Sequence, residues 1–101
     1  MFLVRTTFVP PENLPESEID RLRIAEREQA ELLQREGVIS HLWRQTGTSC
    51  AWGVWNLPTS AELEQALKSL PLRGYMTVDI HPVEIHRNAL TRDAPHLREE
   101  K

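Results

Sequence analysis

Glu26 stands where a carboxylate is costly. A helix advancing about 100° per residue places Ile19, Leu22, Glu26, Ala30 and Leu33 on one face, with Gln29 beside them. Glu18, Glu28 and Glu31 point elsewhere and remain solvated. A carboxylate aimed at a core must be hydrogen-bonded or must shift its pKa. Two arrangements meet that requirement. One is an ion pair with an arginine across a helix–sheet interface, Arg5 or Arg44 being the candidates. The other is a cleft in which desolvation raises the carboxylate pKa and strengthens it as a base toward a carbon acid. The second arrangement also needs a donor or cation for the enolate oxygen that develops.

His41 and Arg44 are the nearest such groups in the strand that follows. They have opposite parity, so a regular strand sends them to opposite faces unless a bulge or strand end intervenes. Arg73, ahead of the last strand, is a further anion contact, with simple exposure as its default.

Other chemistries find little support. The four histidines, His41, His81, His86 and His96, have no HxxxH or HxH spacing, so no metal site is expected. Four glycines form no phosphate loop. Cys50 is the single cysteine and has no base near it in sequence; a small strand residue is the expectation there. Cofactor-free acid–base chemistry remains.

The elements that must position these residues read in order. Residues 2–9 are β-branched and aromatic and predict a strand ended by Pro10-Pro11. A helix is expected over about 17–36, with Gly37 as its stop. Strands at 41–46 and 50–56 flank Gly47-Thr48 and form a hairpin. Thr59 to Glu62 resembles a capping box, and Leu63, Ala66, Leu67 and Leu70 give the stripe of a second helix. A last strand at 75–83 alternates Met76, Val78 and Ile80 with Thr77, Asp79 and His81. The order βαββαβ defines an α+β, ferredoxin-like arrangement, an antiparallel sheet with two helices on one face. Residues 1–84 form one domain and 85–101 a charged C-terminal tail, free or packed on a neighbouring subunit.

The third strand carries Trp52 on one side and Trp55 on the other. A sheet covered by helices on one face should be polar on the other, so association through the second face is expected.

The chain has 101 residues, 27% of them charged and 40% hydrophobic, enough for one modest core. A net charge of −3 and scattered basic residues speak against nucleic-acid binding. No run approaches the ~18 apolar residues of a membrane span. The N-terminus lacks the order of a signal peptide, and a lone cysteine fits a reduced cytoplasm.

Three stretches, taken together, are specific. They are LQREG at Leu33–Gly37, HLWR at His41–Arg44, and Leu70-Pro71-Leu72 followed by Tyr75-Met76. In this order and spacing, over roughly residues 2–86, the chain resembles muconolactone delta-isomerase. The resemblance implies a ferredoxin-like subunit of the dimeric α/β-barrel type in a ring-like homo-oligomer, typically a decamer. It implies an enzyme of the β-ketoadipate pathway of aromatic degradation. Muconolactone becomes 3-oxoadipate enol-lactone there without metal or organic cofactor. By position, the family's helix glutamate base matches Glu26. His41 and Arg44 match its substrate-binding pair.

The departures bear on substrate. Ala51-Trp52-Gly53 stands where the family commonly reads Asn-Tyr-Ser, and Arg73-Gly74 where it reads Phe-Pro. The family's His-Pro-Ser-Ser survives only as His86. A substituted lactone as substrate and dechlorination of a chloromuconolactone are variants on this scaffold. The alternative class is a dimeric α/β-barrel small-ligand module or cofactor-free monooxygenase-like protein.

Overall fold

Residues 1–90 are described by the structure, a computed structural model. The elements are β1 (Phe2–Phe8), α1 (Glu16–Arg35), β2 (Ile39–Arg44), β3 (Cys50–Trp55), α2 (Ser60–Lys68), a 3-10 turn (Arg73–Tyr75) and β4 (Met76–Pro82). The sheet order is β2-β3-β1-β4, every neighbouring pair antiparallel. This is the expected ferredoxin-like α+β fold.

The helix ends have local causes. Pro15 precedes α1, and its carbonyl accepts from the N–H groups of Glu18 and Ile19. At the other end Gly37 takes φ +78°, a conformation glycine adopts without strain. Gly37 N–H then donates to Gln34 O at 3.1 Å and Val38 N–H to Leu33 O at 2.9 Å, a Schellman motif. The apolar contact that accompanies such a motif is Val38 against the cluster containing Leu33. In α2, Thr59 Oγ1 accepts from Glu62 N–H at 3.2 Å, one half of the expected capping box.

Both helices press on one face of the sheet. Val4, Leu33, Ile39, Trp55, Leu63, Leu67 and Leu70 form the buried cluster. Residues opposed in an antiparallel ladder share a face. Val4 pairs with Gly53 and Ile80, and Thr6 with Ala51 and Val78, so these belong to the helix-covered side.

The second strand differs from the expectation of 41–46: it runs Ile39–Arg44. The following residues instead close a turn, in which Gln45 N–H donates to Cys50 O and Thr48 N–H to Gln45 O. A bulge lies between Ile39 and His41. It reverses the parity of the strand. Ile39 opposes Trp55 and faces the core, yet His41 opposes Val54 and faces away. Leu42 and Arg44 oppose Gly53 and Ala51, and so return to the helix side.

On the uncovered face, Trp43 opposes Trp52 and is 52% exposed. Arg5 pairs with Asp79 at 3.2 Å on the same face. Of the expected tail, residues 85–90 are described, with a short turn in which Ala89 N–H donates to His86 O. Residues 91–101, and with them most of any packing on a neighbour, lie outside the described residues. Among the described residues no helix is long and apolar enough to cross a membrane.

Candidate active site

Glu26 lies midway along α1, where its neighbours on the stripe meet the sheet. Its side chain is half-buried, whereas Glu28 and Glu31 are exposed. The partner it finds is a backbone group. Leu72 N–H donates to Glu26 Oε1 at 3.0 Å. Leu72 heads the 3-10 turn, so its N–H has no place in the α2 ladder, and the carboxylate satisfies it.

This arrangement settles how Glu26 is accommodated. Of the two arginines considered, Arg5 pairs with Asp79 on the far face, and Arg44 Nε reaches only Thr48 O at 3.5 Å. Among the described residues Glu26 forms no salt bridge. Burial raises its pKa above the ordinary value of 4.5, and the Leu72 N–H partly offsets the rise. One carboxylate oxygen is therefore anchored. The other has no hydrogen-bond partner among the described residues.

A cavity of about 550 Å³ opens between α1 and the sheet. Glu26, Arg23, Arg44, Thr6, Trp55 and Leu72 line it, with apolar walls from Val4, Phe8, Ile39 and Leu70. Arg23 lies one turn before Glu26, and its guanidinium sits 5.3 Å over the Phe8 ring. Both arginines are exposed, whereas Trp55, Ile39, Leu70 and Leu72 are buried. The cavity thus has a cationic, solvent-facing end and an apolar interior.

The three residues singled out in the sequence separate here. Glu26 and Arg44 share the cavity. His41 does not: it lies on the other face, its ring stacked on Trp43 at 5.5 Å and its Nδ1 3.0 Å from Ser40 Oγ. The bulge precedes both His41 and Arg44, so it chooses between them without bringing them together. Arg73, in the 3-10 turn, is half-buried and is not part of the cavity wall. Cys50 Sγ lies 3.2 Å from Thr7 Oγ1, and that contact chiefly draws the thiol pKa down.

Arg23 and the Leu72 N–H were not singled out by the sequence reading, and Trp55 was noted there only for its face of the third strand, not as a site residue. Arg23 had a usable signal, a cation three residues before Glu26 on nearly the same face. Among the described residues no cluster of three or more His, Cys, Asp or Glu is placed to hold a metal.

A four-stranded α+β sandwich with a desolvated carboxylate over an arginine-flanked cavity suits proton transfer on a small anionic ligand. The comparisons agree in kind. The profile of the family described as muconolactone delta-isomerase matches residues 1–89. The Muconolactone Delta-isomerase of Pseudomonas aeruginosa PAO1 is 36% identical over 91 residues, 85% of this chain and 95% of that protein. That of Pseudomonas putida is 32% identical, with the same shares covered. A crystal structure of muconolactone isomerase superposes with TM-score 0.83 at 32% identity, covering 91% of this chain and 96% of that one. The chain belongs to the muconolactone delta-isomerase family.

Proposed function

We propose that this protein moves a proton within muconolactone, or a ring-substituted analogue, to give the enol-lactone, with Glu26 as the single base. The observation that carries this reading is the partly desolvated Glu26 carboxylate, held at one oxygen by Leu72 N–H and open at the other, in the arginine-flanked cavity. The C4 proton of the lactone is acidified through the C2=C3 double bond and the ring carbonyl. Glu26 takes that proton, and the electron pair spreads over C4, C3, C2 and the carbonyl oxygen. The carboxylic acid so formed returns the proton at C2, leaving C3=C4. No electron leaves or enters, and one residue in two protonation states performs both steps. Arg44 and Arg23 hold the substrate carboxylate at the cavity mouth.

The protein works as a homo-oligomer in the cytoplasm. The uncovered sheet face, with Trp43 beside Trp52, supports assembly, and the family resemblance supports a ring of about ten subunits.

An ultraviolet assay tests the reading. Purified protein is given muconolactone and its methyl and chloro derivatives. Turnover of at least one to the corresponding enol-lactone is expected. No reaction with any of them, or chloride release without isomerisation, would remove the assignment.

A further inference from the structure

Proton abstraction puts negative charge on the lactone carbonyl oxygen, and a donor aimed at that atom is worth more than one elsewhere. Neither exposed arginine is well placed for it, since both belong to the solvent-facing end that suits the carboxylate. The buried end of the cavity contains one side-chain N–H. Trp55 is only 3% exposed, and it lines the cavity. Its Nε1–H has no hydrogen-bond partner among the described residues, in contrast to Trp52, whose Nε1–H donates to Gln45 Oε1 at 3.0 Å. Yet among the described residues the only side-chain N or O that is fully enclosed and unpartnered is Arg5 Nε. The Trp55 Nε1 therefore keeps access to open space, and for so buried a ring that space is the cavity. A buried indole N–H is normally paired, so an unpartnered one at a ligand cavity points to a ligand acceptor.

Gly53 makes this orientation sterically feasible. A Cβ at position 53 would fall 3.1 Å from Trp55 Nε1, and 3.4 Å from both His41 O and Leu42 Cδ1. Any larger residue there presses on the indole edge that carries the N–H. Position 53 is one of those at which this chain departs from the family pattern.

We propose that Trp55 Nε1–H donates to the lactone carbonyl oxygen as the dienolate forms, and that Gly53 is the residue that leaves room for it. This rests on the isomerase reading above. The indole proton stays on nitrogen throughout; the transferred proton passes from C4 to Glu26 to C2.

Two measurements test it. First, Trp55→Phe keeps an aromatic ring and removes the N–H. A roughly 10²-fold fall in kcat is expected, with KM moving far less. Gly53→Ala, which retains the tryptophan but displaces it, lowers kcat in the same sense. Second, the wild-type protein carrying ¹⁵N-labelled tryptophan is titrated with the saturated γ-lactone bearing a carboxymethyl arm, which cannot react. The Trp55 indole proton, assigned by its loss in Trp55→Phe or by exclusion using Trp43→Phe and Trp52→Phe, moves downfield while that of Trp52, which does not line the cavity, stays; Trp43, exposed at the cavity wall, is not used as the silent control. Wild-type kcat in Trp55→Phe overturns the proposal, as does an unmoved Trp55 signal. Should Trp55→Phe fail to fold, the titration decides. A Trp55 response in a protein that does not turn over muconolactone removes the isomerase reading and keeps the donor. Turnover with no Trp55 response does the reverse.

Discussion

Leu72 donates its backbone N–H to Glu26 Oε1 at 3.0 Å, across 46 residues of sequence. This bond ties the middle of α1 to the turn before β4. It orients the carboxylate and leaves the second oxygen without a hydrogen-bond partner among the described residues. It also moderates the effect of burial, which on its own would drive the pKa further up.

The pH dependence follows from that balance. With Glu26 as the proposed base, only its ionised form is active, so kcat/KM is expected to rise with pH through one ionisation lying above the ordinary carboxylate value of 4.5. Replacing the N–H of the Pro71–Leu72 amide by an ester oxygen, through leucic acid at position 72, removes the donor. The rising limb then moves to higher pH. An unmoved profile would separate the Leu72 contact from Glu26 ionisation.

Stability should change in the opposite sense to activity. The folded state binds a proton at Glu26 more tightly than the unfolded chain does, so this group costs stability as pH rises from 4.5 through the folded pKa. Glu26→Gln still accepts from Leu72 N–H and carries no charge. It is expected to melt at or above the wild-type temperature near about pH 8, with the difference shrinking on acidification. Calorimetry over that range checks the sign.

In the proposed function Arg44 holds the substrate carboxylate, so its loss should fall on binding. Arg44→Gln is expected to raise KM by roughly 10- to 100-fold with a smaller effect on kcat, the size of one lost charge-assisted contact. Arg44→Lys recovers part of the loss, since it keeps the charge without the planar fork.

Trp43 offers a test of the proposed assembly. It is 52% exposed in the single chain, opposite Trp52 on the face the helices leave bare. Trp43→Glu puts a charge there, and sedimentation is expected to show smaller particles. An unchanged mass would place the contacts between subunits elsewhere.

Leu63 is fully buried beneath the sheet. Leu63→Ala should cost about 2–5 kcal/mol, read as a lowered denaturation midpoint.

Much of the fold was legible because its signals are local. The helix stripe, Gly37, Thr59 and the alternation in β4 each follow from neighbours within a few residues, and they give the element order from which the sheet follows. Glu26 was legible for the same reason, as an acid on an apolar stripe. The second strand was placed two residues late, and its bulge between Ile39 and His41 shows only in the pairing with β3, not in any residue pattern. That bulge decided which of His41 and Arg44 meets the cavity. The Leu72 N–H and the site role of the Trp55 indole were illegible, since one is a backbone group and the other shows in sequence only as a large residue on one face of the third strand. The first gained its meaning from a partner far along the chain, and the second from the space that Gly53 leaves beside it.

The most direct test is the turnover of muconolactone by Glu26→Gln, with Glu28→Gln as an exposed control on the same helix. Loss of kcat by roughly 10²- to 10⁴-fold is predicted for Glu26→Gln, in a protein that keeps its fold and assembly, with Glu28→Gln near wild type. Near-normal turnover by a folded Glu26→Gln would contradict the role of Glu26 as the proton carrier.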